Sequence, residues 1–213
     1  MATPEMKPQE ARLPCILLAA GASSRMGSHK LLLPVGGEVM IRRTARIALA
    51  RCYPLIVVTG YASGAVEEAL VRLDGVSTVF NPAWTTGRVS SVIRGIESLP
   101  ATCPGFFLHH ADMPFVSEAA FDALEGAMGG DVALVAGRSG KPGHPVYFPS
   151  CYIPAILDLA QGESLKRVLD DKGSIIVETG CDGVLEDMDS PEDYAALCRK
   201  YCAKYGLGCG SAL

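Results

Sequence analysis

LLAAGASSRMGSHKLLLP, residues 17–34, joins two aliphatic runs through a loop of small residues that carries one arginine and one lysine. An ordinary turn needs only about four residues and no cations. Glycine and other small residues let backbone N–H groups approach a ligand closely, and Arg25 and Lys30 add two full positive charges. The stretch therefore predicts a buried strand followed by an anion-binding loop.

Beyond this loop, apolar runs of strand length alternate with segments that have helical spacing. The runs 13–19 and 54–60 are almost continuously apolar, which is typical of strands buried on both faces. The alternation predicts one α/β domain, with a mostly parallel sheet flanked by helices and ligands bound at the carboxyl ends of the strands. After residue 136 a glycine-rich hairpin indicates an irregular second half. The predicted organisation is a flexible tail, one domain and a cysteine-containing tail, at residues 1–12, 13–200 and 201–213.

Composition limits the classes of function. The chain has 213 residues, 49% of them hydrophobic, and a net charge of −4. This supports a sizeable core, and the lack of a basic run argues against a nucleic-acid groove or a polybasic membrane face. The eight cysteines form no disulfide framework, no signal peptide precedes them, and no apolar stretch reaches the ~20 residues of a membrane span. We therefore expect a cytoplasmic protein without nucleic-acid or membrane partners.

Two carboxylate motifs are candidates for a metal site. Asp112 comes directly after a predicted strand in HADMP, and the segment LEDMDSPED offers Asp187 and Asp189. Such hard oxygen ligands suit Mg²⁺ that bridges phosphate oxygens. We expect one of Asp187 and Asp189 to enter the crevice, and the other, or Ser190, to cap the following helix.

The opening loop is neither a P-loop, which needs Gly-Lys-Ser/Thr before a long helix, nor the G-x-G-x-x-G dinucleotide fingerprint. Its pattern, L-A-A-G-x-S-x-R-M-G-x-x-K followed by L-L-P, resembles the nucleotide-binding signature of the nucleotidyltransferases related to the molybdenum cofactor transferases. HADMP, GHPVYF and VLEDMDSPEDY resemble the second, third and closing signatures of that family. The four signatures occur in the expected order, which makes the resemblance specific.

This resemblance implies a Rossmann-like nucleotidyltransferase fold and roles for the matching residues. Arg25, Lys30 and Asp112 would be catalytic, and Mg²⁺ would be held by Asp112 together with Asp187 or Asp189. The implied substrate-binding residues come from the opening loop, from TTGRVSSVIRGI and from the hairpin motif: Leu18, Ala19, Ala20, Gly21, Ser23, Ser24, Arg25, Lys30, Gly87, Ser90, Ser91 and His144.

Some of these residues also fit a structural role. Residues 87–91 are consistent with the capped start of a helix, and His144 lies in a glycine- and proline-rich hairpin where histidines are often structural. His109 and His110 replace the apolar pair that is usual before ADMP in the family. Because adjacent strand residues face opposite sides, these two histidines cannot easily bind one ion.

The first motif also separates the nucleotides used within the family. LAAG at 18–21 is the form of the cytidylyltransferases, whereas guanylyltransferases carry L-A-G-G. The resemblance therefore implies transfer of CMP from CTP to a molybdopterin-type cofactor, with a molybdoenzyme or its chaperone as a partner. The alternatives are a GTP-using guanylyltransferase, a sugar-phosphate or other small-molecule nucleotidyltransferase, and a non-catalytic cofactor carrier. Arg25, Lys30 and Asp112 favour catalysis, because a carrier needs no magnesium–triphosphate site.

Overall fold

A computed structural model describes residues 12–22 and 29–205 and confirms the predicted α/β architecture. The strands along the chain are Cys15–Ala19 (β1), Pro34–Val35 (β2), Glu38–Val39 (β3), Leu55–Thr59 (β4), Val76–Phe80 (β5), Gly105–His110 (β6), Ala133–Arg138 (β7), Lys141–Pro149 (β8) and Ser174–Glu178 (β9). β2 and β3 form a separate pair, and the other seven form one sheet in the order β5-β4-β1-β6-β8-β7-β9. Within this sheet β8 is antiparallel to both of its neighbours, and all other pairs are parallel.

Helices cover both faces of the sheet. They are Met40–Leu49 (α1), Ser63–Leu70 (α2), Arg88–Ile96 (α3), Glu118–Ala127 (α4), Ile153–Leu157 (α5), Leu165–Lys172 (α6) and Pro191–Tyr205 (α7). Apolar side chains of α1, α2, α4 and α7 pack into a larger core on one face, and those of α3, α5 and α6 pack into a second core on the other. These two cores explain why β1 and β4 are apolar on both faces. No described helix is both long and apolar enough to span a bilayer.

The strand order creates a topological switch point between β1 and β6. The chain builds outward from β1 through β4 to β5, and then returns to the other side of β1 to form β6. Both neighbours run parallel to β1, with Leu17 aligned to Val57 on one side and to His109 on the other. The carboxyl ends of β1 and β6 therefore open side by side, which is where α/β sheets bind ligands.

The folded domain extends beyond the limits predicted from sequence. Arg12 donates a hydrogen bond to the carbonyl of Leu49 at 3.2 Å, so residue 12 is fixed to the end of α1. At the other end, α7 continues past residue 200, and the buried Tyr201 stacks on Phe115 with 3.9 Å between ring centroids. The remaining residues of the two predicted tails, 1–11 and 206–213, lie outside the described residues.

Two glycines let the closing segment pack directly against the rest of the domain. A Cβ atom on Gly143 would overlap the carbonyl oxygen of Val184, and one on Gly183 would overlap that of Phe115. Because both obstacles are backbone atoms, a larger residue at either position would displace a whole segment. These contacts tie a 3₁₀-helix at Asp182–Leu185 to β8 on one side and to the chain after β6 on the other.

His109 is a polar residue in the larger core. It is 1% exposed, its ring meets that of Phe121 edge to face, and neither ring nitrogen has a hydrogen-bond partner within the described residues. Burial, with a smaller contribution from His144, lowers its pKa to about 3. The unfolded chain, with a histidine pKa near 6.5, therefore binds a proton that the folded protein rejects over the range between these values.

We expect His109→Leu to raise the free energy of unfolding by about 1–3 kcal/mol at pH 7.5, because it removes unsatisfied buried polar atoms. The gain should increase below pH 6.5, since the parent loses up to about 1.4 kcal/mol per pH unit as the unfolded chain takes up this proton. Urea denaturation at pH 7.5 and 5.0 measures both effects. His109→Gln keeps polar atoms in the core but cannot titrate. It should therefore remove the loss of stability of the parent at low pH without giving the gain at pH 7.5. An equal pH slope in the parent and His109→Leu would contradict this prediction.

Candidate active site

A cleft of about 580 Å³ lies at the carboxyl ends of β1 and β6. Its walls come from the opening loop, the start of α3, the end of β6, the hairpin strand β8 and the segment before α7. Its lining includes Leu18, Ala19, Ala20, Gly21, Lys30, Trp84, Gly87, Arg88, Ser91, His110, Asp112, His144, Asp187 and Asp189. The start of the opening loop and Asp112 of HADMP, both expected at the carboxyl ends of strands, therefore line one cleft.

Lys30 forms the charged centre of this cleft. It begins a short 3₁₀-helix, Lys30–Leu32, and its ammonium donates to Asp112 Oδ2 and Asp189 Oδ1, each at 2.6 Å. Burial opposes the charge of this ammonium, but the two carboxylates outweigh burial, and the pKa of Lys30 rises above its ordinary value. Lys30 is therefore a permanent cation that bridges two carboxylates.

Backbone contacts on two sides fix Asp112. Just before it, the N–H of Ala111 donates to the carbonyl of Leu18 in β1 at 3.1 Å, and the carbonyl of Ala111 accepts from Thr44 Oγ1 at 3.0 Å. The carbonyl of Asp112 itself accepts from the N–H of Met188 at 3.1 Å. Its buried Oδ1 has no hydrogen-bond partner within the described residues. The carboxylate is thus held in place, with one oxygen left for a ligand.

The expectation that only one of Asp187 and Asp189 faces the crevice is wrong. Both line the cleft. Residues 186–189 form irregular backbone rather than the predicted strand, and residues two positions apart would share a face even on a strand, so neither geometry turns one of the two carboxylates away. Burial raises the pKa of Asp187, and the nearby negative charges of Asp189 and Asp112 add to that effect. The structure therefore brings three carboxylates to one cleft, of which Asp112 and Asp189 share Lys30.

Ser190 caps α7, as one of the sequence alternatives proposed. Its Oγ accepts from the N–H of Asp193 at 3.1 Å, and its own N–H donates to Asp193 Oδ2 at 3.0 Å. This reciprocal capping box satisfies backbone groups at the start of the helix. Asp189 is therefore not needed as the cap.

The predicted nucleotide loop is only partly described. Leu18, Ala19, Ala20 and Gly21 line the cleft as expected, whereas the predicted residues Ser23, Ser24 and Arg25 lie outside the described residues. The start of the loop is fixed to the end of β4, because the N–H of Tyr61 donates to the carbonyl of Ala20 at 3.1 Å.

Of the three binding residues predicted near the start of α3, two line the cleft and one does not. Gly87 and Ser91 line the cleft, but Ser90 lines neither this cleft nor its neighbour. The hydroxyl of Ser90 donates instead to the carbonyls of Ala83 and Gly87, at 3.0 and 2.8 Å. Asn81 Nδ2 donates to both serine hydroxyls at 3.0 Å. Ser90 therefore stabilises the turn, and the lining of the cleft gives its predicted binding role no support.

Sequence reasoning missed Arg88, Trp84 and His110, which also line the cleft. His110 stacks on His144 with 4.0 Å between ring centroids. Burial lowers the pKa of both imidazoles, that of His144 to about 4, with His144 adding to the shift at His110. Both rings are therefore neutral near pH 7. For Arg88 the available signal was its place directly after Gly87, in a segment already suspected of binding.

The donor set fits a hard divalent cation. Within residues 12–22 and 29–205, no three histidine, cysteine or acidic side chains form a preassembled metal site. Mg²⁺ and its analogues need less, because one or two carboxylates plus substrate phosphate oxygens suffice. Asp112 and Asp189 supply that pair, and the orphan Oδ1 of Asp112 marks unused coordinating capacity.

A mostly parallel sheet of this topology, with a lysine–carboxylate cluster at its switch point, defines a nucleotidyltransferase with a Rossmann-like fold. The chain belongs to the family of the MobA-like NTP transferase domain, whose model matches residues 15–175.

Similar proteins support this assignment. The chain is 27% identical to the molybdenum cofactor cytidylyltransferase of Escherichia coli over 190 residues, which cover 88% of this chain and 96% of that protein. It is 28% identical to the nicotine blue oxidoreductase of Paenarthrobacter nicotinovorans, over 87% of this chain and 97% of the relative. The same fold occurs in a nucleotidyl transferase from Methanothermobacter thermautotroptrophicus, with a TM-score of 0.79 and 24% identity over 91% of this chain and 99% of that chain.

Proposed function

We propose that this protein transfers CMP from CTP to the phosphate of molybdopterin or molybdenum cofactor, with Mg²⁺ as its metal ion. The pairing of Lys30 with Asp112 and Asp189 at the switch point carries this proposal. It places a cation suited to phosphate oxygens and carboxylates suited to a divalent metal in one cleft. The cleft volume of about 580 Å³ is in the range of small-molecule sites.

The proposed reaction is a displacement at phosphorus. An oxygen of the acceptor phosphate attacks the α-phosphorus of CTP and forms a P–O–P bond. The bond from the α-phosphorus to the bridging oxygen breaks, and its electron pair leaves on pyrophosphate. Such a reaction leaves little covalent chemistry to the protein, so catalysis depends on positioning and on stabilising charge.

Each predicted site residue except Ser90 takes a role in this proposal. Lys30 and Arg25 hold the triphosphate, with Ser23, Ser24 and the backbone of 18–21 forming the rest of the phosphate loop. Gly87 and Ser91 border the nucleoside, and His144 borders the acceptor. Asp112 and Asp189 hold Mg²⁺, with Asp187 in the same cleft. When bound, this metal ion supplies Lewis-acid stabilisation of the charge on the phosphate oxygens.

A phosphate acceptor explains why no general base is needed. The second pKa of a phosphate monoester is roughly 6, so the acceptor is already largely a dianion near neutral pH. His110 and His144 are neutral there, and burial keeps them so. They therefore provide a surface of two rings beside the acceptor without adding charge.

The choice of CTP and of molybdenum cofactor rests on separate support. The E. coli relative has this activity in its name and spans most of the chain. The LAAG form of the first motif favours CTP over GTP within the family. The oxidoreductase relative gives weaker guidance, because the dinucleotide fingerprint is absent from this sequence.

We expect pyrophosphate release with CTP to exceed that with GTP by about tenfold or more, since one methyl group in a tight pocket discriminates by roughly 10–200-fold. That methyl belongs to Ala20, which is buried beside Gly60 at the edge of the cleft. Ala20→Gly should therefore narrow the CTP-to-GTP ratio. The assay supplies Mg²⁺, molybdenum cofactor and each nucleotide in turn, and identifies the dinucleotide product.

Ala62→Gly is the matched control, because Ala62 does not line the cleft and has a φ of 50°, which glycine tolerates. It should leave the nucleotide ratio unchanged. Equal rates with CTP and GTP in the parent, or a preference for GTP, would contradict the proposed nucleotide. Pyrophosphate release with a sugar phosphate, and none with molybdenum cofactor, would replace the proposed acceptor.

A further inference from the structure

A second cavity of about 380 Å³ adjoins the proposed nucleotide cleft. The two spaces share Leu18, Arg88, His110 and His144 in their walls. The stacked imidazoles and the guanidinium therefore stand at their junction. Because the cavities share these walls, one end of a molecule bound in the second cavity can reach the nucleotide cleft directly.

The walls of the second cavity are mostly apolar. The sheet and α3 contribute five buried side chains, and α6 contributes two half-buried leucines on the opposite side: Val92, Leu108, Val135, Val146, Phe148, Leu165 and Leu169. Away from the junction formed by Arg88, His110 and His144, polar side chains are confined to residues 163, 164 and 166. This lining suits a ring system that has one polar edge, and it does not suit a fully hydroxylated sugar.

Arg88 supplies the charge at the junction. It is exposed, and within the described part of the chain it makes no hydrogen bond or ion pair. Most other described arginines have such a partner: Arg46 binds Glu38, Arg94 binds Glu97 and Arg138 binds Asp182. A guanidinium without a counter-charge among the described residues, at the mouth of an apolar cavity, fits the phosphate of a ligand whose body lies inside.

We propose that the second cavity holds the ring-bearing body of the acceptor and that Arg88 binds the acceptor phosphate where the two cavities meet. This inference rests on the proposed nucleotidyl transfer and places its second substrate. The attacking oxygen is then at the boundary of the nucleotide cleft, next to the cluster of Lys30 and the carboxylates. The class of acceptor is a phosphate monoester of a largely apolar or aromatic ring compound.

The first test fills the cavity. We expect Leu169→Trp to raise the KM for molybdenum cofactor by about tenfold or more, because a larger side chain displaces the ring. The calorimetric Kd for CTP with Mg²⁺ should not change. The matched control is Leu157→Trp, at a leucine of α5 that is 45% exposed and lines neither cavity. It should leave both values as in the parent.

The second test changes the charge at the junction, so it does not require the fold to accommodate a tryptophan. Arg88→Gln should raise the acceptor KM by about tenfold or more, and Arg88→Lys should recover only part of the loss, because a point charge lacks the guanidinium fork. An unchanged acceptor KM in both Leu169→Trp and Arg88→Gln would overturn the inference. A loss of CTP affinity in Arg88→Gln, with the acceptor KM unchanged, would assign Arg88 to the nucleotide instead.

Binding of the acceptor to the second cavity can be tested even if the proposed reaction does not occur. If the parent releases no pyrophosphate with any nucleotide, the proposed reaction is wrong, and calorimetric titration of molybdenum cofactor into the parent and Leu169→Trp still tests the cavity. Binding to the parent that Leu169→Trp abolishes supports the inference. Equal binding to both proteins, or binding to neither, overturns it.

Discussion

Asp112→Asn should reduce turnover by about 10²–10³-fold, the usual loss when one preorganised electrostatic group is removed from an active site. Asparagine keeps the shape of the side chain, and the backbone contacts of residues 111 and 112 with Leu18, Thr44 and Met188 do not involve the carboxylate. The fold should therefore survive. Residue 112, which is both a proposed metal ligand and a partner of Lys30, loses its negative charge. Steady-state kinetics with varied CTP and Mg²⁺ measure the loss.

The control for this variant is Asp170→Asn. Asp170 is an exposed carboxylate on α6 that lies outside both cavities and pairs with Lys166 at the wall of the second one. The variant should retain parental turnover and parental dependence on CTP and Mg²⁺. Asp112→Asn that keeps more than about a third of the parental activity would show that Asp112 is only a turn residue.

Lys30→Met should increase the affinity for Mn²⁺ and decrease turnover with CTP. The ammonium of Lys30 now occupies oxygens of Asp112 and Asp189 at 2.6 Å, so the lysine and a divalent cation compete for the same ligands. Without that competitor, Mn²⁺ alone should bind more tightly, by about tenfold or more for one removed cation at this distance. Turnover with CTP should nonetheless fall by about 10²–10³-fold, because the triphosphate loses its fixed cation.

Calorimetry with Mn²⁺ alone and pyrophosphate release with CTP separate these effects. Removing one partner of a partly buried ion pair also lowers stability, and Mn²⁺ should therefore raise the melting temperature more for Lys30→Met than for the parent. The control is Lys172→Met, since Lys172 packs over Tyr152 and lines neither cavity. Weaker Mn²⁺ binding by Lys30→Met would refute the competition, and unchanged turnover would refute the phosphate role.

The order of strands and helices and the parallel sheet could be predicted from sequence, because the patterns that indicate them are local. Continuous apolar runs identified β1 and β4, and the alternation of strands with helices gave a parallel sheet whose carboxyl ends carry the motifs. Asp112 was predictable for the same reason, since it follows a strand end directly. The resemblance to known signatures then named the class that the family match confirms.

The arrangement around Asp187 and Asp189 was not predictable from periodicity. The observed segment is a 3₁₀-helix followed by irregular backbone, and glycine contacts from distant parts of the chain fix its position. Arg88 and His110 were missed for a related reason. Their proposed role comes from two cavities meeting at one point, and no local pattern encodes that junction.

The position of the carboxylates along the chain has a consequence for biosynthesis. Every strand of the sheet is complete by residue 178, but Asp187 and Asp189 follow it, and Lys30 meets a partner 159 positions away. A chain emerging from the ribosome can therefore assemble its sheet while two of the three carboxylates are still inside the exit tunnel. Such a nascent chain would have the proposed phosphate loop but an incomplete proposed metal site, so we expect it not to sequester nucleotide before its last segment has docked against Phe115.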